Sequence, residues 1–269
     1  MRSSGRRGSS ARGAARRRRC AALLCALLVA LASSAAGQPG ACVTGASADG
    51  GVIDLTVPVQ AGMPVWNGPS GLGRNWRALS EAHDQGDVVN KSFLYLDAHT
   101  GTHIDAPVHF LPGAGAMESL PLPALIGPAD VVDVAADTNI TAEVLEGAAI
   151  PRDAARLLFR TQNTRRALMG RSGFVTDFVG LDATAARWLA EQRPGVVLVG
   201  IDYLTIGAMY DIVETHKTLF RTGTVIVEGL NLTSVPAGRH HLTCLPLLLV
   251  GSDGSPARCI LTRGDRGML

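Results

Sequence analysis

Aromatic residues make up only 4% of the 269-residue chain, and charged residues only 18%. The core must therefore be built mainly from Val, Leu, Ile and Ala. A hydrophobic content of 46% excludes a disordered chain and permits one sizeable core. Acidic residues are absent from residues 1–37, which hold eight arginines, so the rest of the chain carries a net charge of −6. This distribution argues against a nucleic-acid-binding protein, because positive charge is not spread over a folded face.

The first 37 residues have the pattern of a secretory signal peptide. The basic segment Arg2–Arg19 is followed by the apolar run Cys20–Ala32 and by the small residues Ser33–Gly37, which suit a cleavage site. The apolar run is shorter than the roughly 20 residues that a membrane span needs, and no later stretch is long and apolar enough. We therefore expect a secreted protein with no membrane span after cleavage. An uncleaved signal anchor and an organelle transit peptide are the alternatives.

Sequons and cysteines are compatible with secretion but are weak evidence. Each Asn-x-Ser/Thr motif is short enough to arise by chance, and the third is as well explained by a structural Asn. An odd number of cysteines in the mature chain permits at most one internal disulfide, and none has a recognisable catalytic Cys–His context. The sequons begin at Asn90, Asn139 and Asn231. The cysteines that remain after the leader is removed are Cys42, Cys244 and Cys259.

Residues 38–50 read as a linker and residues 51–269 as one α/β (α+β) domain. Runs of strand length alternate with helical patterns, which predicts a substantial sheet with helices. The predicted strands are Val52–Val59, Ser92–Ala98, Val131–Val134, Leu157–Arg160, Val196–Ile201, Val225–Val227 and Pro246–Val250. The predicted helices are Thr141–Ala148, Asp182–Gln192 and the stretch around Glu214–Phe220.

One segment concentrates groups that bind metals: His99, His103, Asp105 and His109. If the segment is extended, its period of two points all four side chains to one face. A helix is disfavoured because Gly101 and Pro107 interrupt it. Imidazole and carboxylate ligands suit Zn²⁺ and Mn²⁺, and one carboxylate can bridge two ions. A histidine-rich surface turn is the alternative, but three histidines and an aspartate on one predicted face favour a metal site.

The motif His-x-Gly-Thr-His-x-Asp-x-Pro-x-His resembles the signature of the cyclase-like metal-dependent hydrolases, a family that includes bacterial-type kynurenine formamidases (arylformamidases) and isatin hydrolases. The resemblance extends from Val52 to about Leu261. It includes the loop at Trp66, the Gly200-Ile201-Asp202 motif, the segment from His216 to Asn231, and Asp253-Gly-Ser-Pro. It implies a swivelling β/β/α domain with a central mixed, barrel-like sheet.

The resemblance also implies roles for single residues. His99, His103 and Asp105 match the ligands of one metal, and Asp105 would bridge to a second position. His216 and Glu228 would complete that position, although without the resemblance His216 is better explained as a solvated helix residue. His109 matches the catalytic acid/base, and Trp66 matches an aromatic residue that contacts the substrate, unless it only covers the core. Thr102 is expected to hydrogen-bond within its turn and orient a ligand, whereas His83, His240 and His241 match nothing and read as surface residues.

The activity implied is hydrolysis of an aromatic amide. A metal-bound hydroxide would attack the amide carbonyl, and His109 would protonate the departing nitrogen. N-formyl-L-kynurenine, giving L-kynurenine and formate, is the first expected substrate, and isatin is the alternative. A secreted protein that binds metal or ligand without turnover is the alternative of another class. One or two Zn²⁺ or Mn²⁺ ions per chain and a homo-oligomer are also implied.

Overall fold

A computed structural model describes residues 51–262. The predicted signal peptide, the predicted linker and Cys42 lie outside these residues. None of the helices in residues 51–262 is long and apolar enough to cross a membrane.

Ten strands and five α-helices follow one another along the described chain. The strands are β1 Val52–Asp54, β2 Arg77–Glu81, β3 Lys91–Leu94, β4 His103–Asp105, β5 Ile126–Asp133, β6 Arg156–Arg160, β7 Leu198–Ile201, β8 Val225–Glu228, β9 Gly238–Pro246 and β10 Gly254–Thr262. The α-helices are α1 Leu122–Leu125, α2 Ala142–Gly147, α3 Gln162–Arg165, α4 Ala183–Gln192 and α5 Ile212–Arg221. Short 3₁₀ turns include Pro107–His109.

Seven of the strands close into a mixed barrel in the order β10-β4-β8-β7-β6-β5-β9, and β9 pairs back with β10. The pairs β5–β6, β6–β7 and β7–β8 are parallel, and the others in the ring are antiparallel. β1 extends the sheet at the C-terminal half of β10. β2 and β3 form a separate two-stranded hairpin. This architecture confirms the predicted α/β single domain with a barrel-like core.

Alternation along the strands divides the core between the two faces of the barrel. Val225 and Val227 of β8 pack in one cluster with residues of β4, β9 and β10, which fills the barrel interior. Ile226 belongs to the other cluster, with Leu219 and Phe220 of α5. Both faces of β8 are therefore buried, and the even-numbered residues of this strand face the helices. Glu228 is the next residue on that helix-facing side.

The helices and most strands lie close to their predicted positions. Asp182 begins α4 as its N-cap, since its Oδ1 accepts hydrogen bonds from the backbone N–H groups of Thr184 and Ala185, each at 2.9 Å. Three strand predictions were wrong in extent or place. β1 ends at Asp54 and does not reach Val59. β3 ends at Leu94 and does not run into the histidine segment, and Pro246–Val250 leaves the sheet at Pro246, where β9 ends.

Cys244 and Cys259 face each other across β9 and β10 and form a disulfide. Both side chains are buried in the interior cluster. The odd number of cysteines left the pairing open, and the strand register decides it.

Candidate metal centre and active site

Four separate segments bring the predicted metal ligands together. β4 carries His103 and Asp105, and it pairs antiparallel with β8 so that His103 lies opposite Glu228. His216 reaches the same place from α5, with its Nε2 3.1 Å from Glu228 Oε1 and 3.6 Å from Asp105 Oδ2. His99 comes from the turn before β4, and its Nδ1 lies 2.8 Å from Asp105 Oδ1. All five predicted ligands thus form one cluster.

Backbone carbonyls orient two of the imidazoles in this cluster. His103 Nδ1 is 2.9 Å from the carbonyl oxygen of Gly101, and His216 Nδ1 is 2.7 Å from that of Ile212. A neutral imidazole that donates from Nδ1 presents the lone pair of Nε2, which is the arrangement typical of a metal-ligating histidine. Both Nε2 atoms face the carboxylates of Asp105 and Glu228.

Two buried polar atoms at the centre of the cluster have no hydrogen-bond partner among the described residues: His103 Nε2 and Asp105 Oδ2. Both residues are almost completely buried, and an unpaired polar atom in such a place is costly. A divalent cation would satisfy both atoms. Asp105 belongs to two groups of potential ligands, one with His99 and His103 and the other with His216 and Glu228. The residues therefore fit one or two ions.

The charged groups of the cluster shift one another's pKa values. Burial by itself would lower the pKa of His216, but the contacts with Asp105 and Glu228 outweigh burial and raise this pKa to about 10. For His99, burial is likewise outweighed by Asp105 and Asp253, and the pKa rises to about 9. Burial would raise the pKa of Asp105, but the surrounding histidines hold it well below its usual range. The cluster is thus an ion-paired unit in which cations and carboxylates compensate each other.

The histidine segment is extended only over His103–Asp105, so the prediction of one continuous extended stretch was wrong. His99 precedes a turn in which Gly101 has a φ of +71°, a backbone conformation that glycine adopts readily. Pro107 starts the 3₁₀ turn that carries His109. The four side chains still meet, because the turns on both sides of the short strand fold toward the same cavity.

His109 lies beside the metal-ligand cluster. Its ring is 4.1 Å from the ring of His99, measured between centroids. Its Nδ1 is 3.1 Å from Asp253 Oδ2, and the same carboxylate oxygen lies 3.0 Å from His99 Nε2. Within the described residues, Nε2 of His109 has no hydrogen-bond partner, and His109 lines the cavity. This placement suits a side chain that exchanges a proton with a bound molecule.

Trp66 stands on the wall of the cavity above the cluster. The cavity has a volume of about 950 Å³ and includes the predicted ligands and His109. The indole ring is 42% exposed and packs against Phe174, with the ring centroids 4.5 Å apart. Trp66 is therefore not buried in the core, and it lines the cavity.

Thr102 connects segments and does not hydrogen-bond within its own turn, so the predicted partner was wrong. Its Oγ1 donates to the carbonyl oxygen of Gly229 at 2.7 Å and accepts from the backbone N–H of Val57 at 3.0 Å. Gly229 follows Glu228 directly. Thr102 therefore fixes the distance between the histidine turn and the end of β8.

Two residues of the site had no predicted role. Asp253 belongs to the Asp-Gly-Ser-Pro motif, which by itself predicts no role for this side chain, yet Asp253 contacts both His99 and His109. Phe110 stacks on the ring of His216, with the ring centroids 4.2 Å apart and the planes 22° from parallel. The motif was a usable signal for Asp253. Phe110 is one of several apolar residues after His109, and only the fold shows its contact.

The remaining histidines lie away from the cavity. His83 is exposed, and His240 and His241 are partly exposed on β9. The sequon residues differ in surroundings: Asn90 is exposed, whereas Asn139 accepts a hydrogen bond from the backbone N–H of Gly180 through its Oδ1. Asn231 Oδ1 accepts from the hydroxyl of Thr233 at 2.8 Å.

Residues 53–208 match the Cyclase family, described as "Putative cyclase". The chain is 41% identical over 219 residues to cyclase-like protein 2 of Arabidopsis thaliana, covering 79% of each chain. It is 34% identical over 211 residues to a kynurenine formamidase of Salinibacter ruber, covering 78% of this chain and 96% of the relative. The chain therefore belongs to the Cyclase family.

Solved structures of similar fold agree with this assignment. One, described as a potential metal-dependent hydrolase with cyclase activity, has a TM-score of 0.65 and 35% identity, covering 78% of this chain and 96% of the other. Isatin hydrolase A of Labrenzia aggregata has a TM-score of 0.63 and 26% identity, covering 79% and 93%. The similarity to several named hydrolases supports a hydrolase with a small-molecule substrate and residues that can bind a metal.

Proposed function

We propose that the protein is a metal-dependent amide hydrolase of the arylformamidase type. The observation that carries this proposal is the cluster of His99, His103, Asp105, His216 and Glu228 with unpaired, buried His103 Nε2 and Asp105 Oδ2 at its centre. These five residues would hold one or two Zn²⁺ or Mn²⁺ ions. A bound ion of this kind supplies Lewis acidity toward a carbonyl oxygen and lowers the pKa of water that it coordinates.

His109 is the proposed general acid/base. Asp253 accepts from its Nδ1 and so holds the ring in the tautomer whose Nε2 can exchange a proton with the substrate. In amide cleavage, this nitrogen would deliver the proton that the departing amine requires. Trp66 would stack on the aromatic ring of the substrate and hold the amide over the metal-ligand cluster.

N-formyl-L-kynurenine is the first candidate substrate, giving L-kynurenine and formate, and isatin is the second. The two names come from relatives that share the fold, a kynurenine formamidase and an isatin hydrolase. A binding protein without turnover is the alternative, and the presence of both the metal-ligand cluster and the partnered His109 argues against it.

The test is an absorbance assay of both substrates with protein stripped of metal and then reloaded with Zn²⁺ or Mn²⁺. We expect turnover of at least one substrate by the loaded protein and none after chelation. Turnover that is unchanged by complete metal removal, or metal binding without turnover of either amide, would contradict the proposal. The variant His109→Ala further distinguishes an enzyme from a binding protein. It should keep the metal, and its kcat should fall by about 10²-fold or more.

A homo-oligomer is proposed on the basis of the resemblance and of one exposed element. The β2–β3 hairpin is exposed over nearly its whole length and carries Leu79, Phe93 and Leu94 on its surface. An isolated two-stranded ribbon is only marginally stable in water, so a second copy of the chain is expected to cover it. Sedimentation analysis should find at least a dimer, and Phe93→Ser should weaken it. A monomeric wild-type protein at micromolar concentration would rule out this assembly.

We also propose that the protein is secreted and that its leader is removed near residue 37. The leader composition, the three sequons and the disulfide between Cys244 and Cys259 support an oxidising compartment. The protein can be expressed in a eukaryotic host, and the N-terminus of the protein recovered from the medium can be sequenced. Retention of the full-length chain inside the cells would overturn the proposed localisation.

A further inference from the structure

The upper part of the cavity differs in character from its floor. The floor holds the histidine and carboxylate cluster, where the amide of a substrate would lie. Above it, the wall is largely apolar and includes Trp66, Met209, Tyr210 and Val213. Met209 and Tyr210 are 44% and 67% exposed, so these side chains are available to the part of a substrate that projects outward.

Among residues 51–262, the side chains of the upper cavity that are ionised at neutral pH are all acidic. Asp97, Asp211 and Glu214 contribute carboxylates there, and no lysine or arginine of residues 51–262 lines the cavity. The cation most often used to bind a substrate carboxylate is therefore missing from the wall. A bound metal ion would add positive charge only at the floor, and the carboxylates of Asp105 and Glu228 would offset the charge of one divalent ion there.

Apart from the histidine cluster at the floor, the first turn of α5 is the feature of the described wall that would attract an anion, because the free N–H groups of a helix N-terminus carry partial positive charge. Its N-cap residue is Asp211, whose Oδ2 accepts from the backbone N–H of Ala183, and Glu214 lies within the first turn. Both carboxylates lie where the helix dipole is positive, so they offset its attraction for a substrate carboxylate. Arg221 compensates Glu214 little, since their closest contact is 3.8 Å and both side chains are more than half exposed.

We propose that this site prefers aryl amides without a free carboxylate over those that carry one, and that it favours substrates whose outer substituent is an amine. The proposal rests on the proposed amide hydrolysis and narrows its substrate class. N-formyl-L-kynurenine carries both an ammonium and a carboxylate group on its outer substituent. Its decarboxylated analogue, N-formylkynuramine, keeps the same aryl formamide and the ammonium group alone.

The experiment compares three formamides with one scaffold on the metal-loaded protein at low ionic strength: N-formyl-L-kynurenine, N-formylkynuramine and the uncharged 2-formamidoacetophenone. We expect kcat/KM for N-formylkynuramine to exceed that for N-formyl-L-kynurenine by about tenfold, as a like charge at close range would produce. The difference should shrink as salt is added, because exposed charges are screened. A kcat/KM for N-formyl-L-kynurenine equal to or above that for N-formylkynuramine would overturn the preference.

A substitution identifies the origin of the preference. Glu214→Gln should reduce the ratio of kcat/KM for N-formylkynuramine to that for 2-formamidoacetophenone by about threefold. Glu143→Gln, which removes an exposed carboxylate from α2 away from the cavity, should leave this ratio unchanged. An unchanged ratio in Glu214→Gln, or an equal change in both variants, would show that Glu214 is not the origin of the preference for an amine.

Binding of the two product amines separates this inference from the proposed function. Kynuramine and L-kynurenine can be titrated into the loaded protein by calorimetry, with no turnover involved. If no formamide is hydrolysed, the proposed function fails, and the charge preference is then decided by these affinities alone. Tighter binding of kynuramine supports the preference, and equal or weaker binding contradicts it.

Discussion

At the scale of single residues, one carboxylate contacts both the proposed acid/base His109 and the proposed metal ligand His99. Oδ2 of Asp253 lies within hydrogen-bond distance of both His99 Nε2 and His109 Nδ1. The side chain of Asp253 is about half exposed, so its contribution depends more on geometry than on burial. We expect Asp253 to act by positioning His109, since it holds the ring nitrogen that faces away from the substrate.

Asp253→Ala should lower kcat about tenfold to a hundredfold with little change in KM, because the His109 ring loses its fixed orientation. Asp253→Asn should retain more activity, since the amide oxygen still accepts from Nδ1. Steady-state kinetics with elemental analysis of each variant checks this prediction. In a His109→Ala background, Asp253→Ala should have almost no further effect on kcat. Fully additive losses would show that Asp253 acts elsewhere.

Asp105 is shared by two of the three groups of potential ligands, the two that contain His103 and His216, so its substitution tests both of these positions. Asp105→Asn should lose metal from both positions, because the amide is a far weaker ligand than the carboxylate. Elemental analysis of the purified protein measures the loss. Asp97→Asn is a matched control, since Asp97 lines the same cavity and belongs to none of the ligand groups, and Asn keeps the Oδ1 that accepts from the backbone N–H of His99. Metal content that is equal in the two variants would contradict the assignment of Asp105.

At the scale of elements, the site depends on how closely the end of β8 approaches the turn before β4. Gly229 has a φ of +68°, and a Cβ at this position would collide with the carbonyl oxygen of Gly101. The hydrogen bond from Thr102 to Gly229 joins the same two segments. The positions of Glu228 and His103 relative to each other are therefore set by backbone contacts.

Gly229→Ala should both destabilise the protein and weaken metal binding, because the two ligand-bearing segments must move apart. Gly223→Ala is the control: its φ is +76°, but a Cβ there meets nothing within 4 Å. The control should cost only about 1–2 kcal/mol of backbone strain and keep the metal affinity. Denaturant unfolding and metal titration of both variants provide the comparison. Equal metal affinities would show that the close approach is unimportant.

At the scale of the whole molecule, the metal-free protein buries several ionisable side chains in its interior. His103, Asp105, His216 and Glu228 are all almost completely buried. The folded-state pKa values of His99 and His216 are raised from 6.5 to about 9 and about 10. Metal binding requires neutral histidines, so it must expel the protons that these residues hold near neutral pH.

This coupling gives opposite pH dependences for the two forms of the protein. A histidine whose pKa is raised on folding contributes stability that is complete below pH 6.5 and is lost as the pH rises to about 9–10. The free energy of unfolding of the metal-free protein should therefore fall across this range. The metal-loaded protein should instead gain stability as the pH rises from about 6 to 8, because protons then compete less for the ligands. Denaturant unfolding with and without chelator tests the prediction, and parallel pH profiles for both forms would refute it.

The sequence by itself determined the chemistry of the site and the class of the fold. The spacing of His99, His103, Asp105 and His109 and the alternation of the buried strands are local patterns, and local patterns are readable without a structure. The resemblance pointed to His216 and Glu228, but only the tertiary structure shows that these distant residues lie beside His103 and Asp105. The tertiary structure joined Glu228 to His103 through the register of β4 and β8, brought His216 in from α5, and set Asp253 between two histidines. It also paired Cys244 with Cys259 and placed the acidic residues along the upper cavity. These outcomes depend on barrel closure and strand register, which bring together residues as far apart in sequence as His99 and Asp253 and leave no mark in the spacing of any one segment.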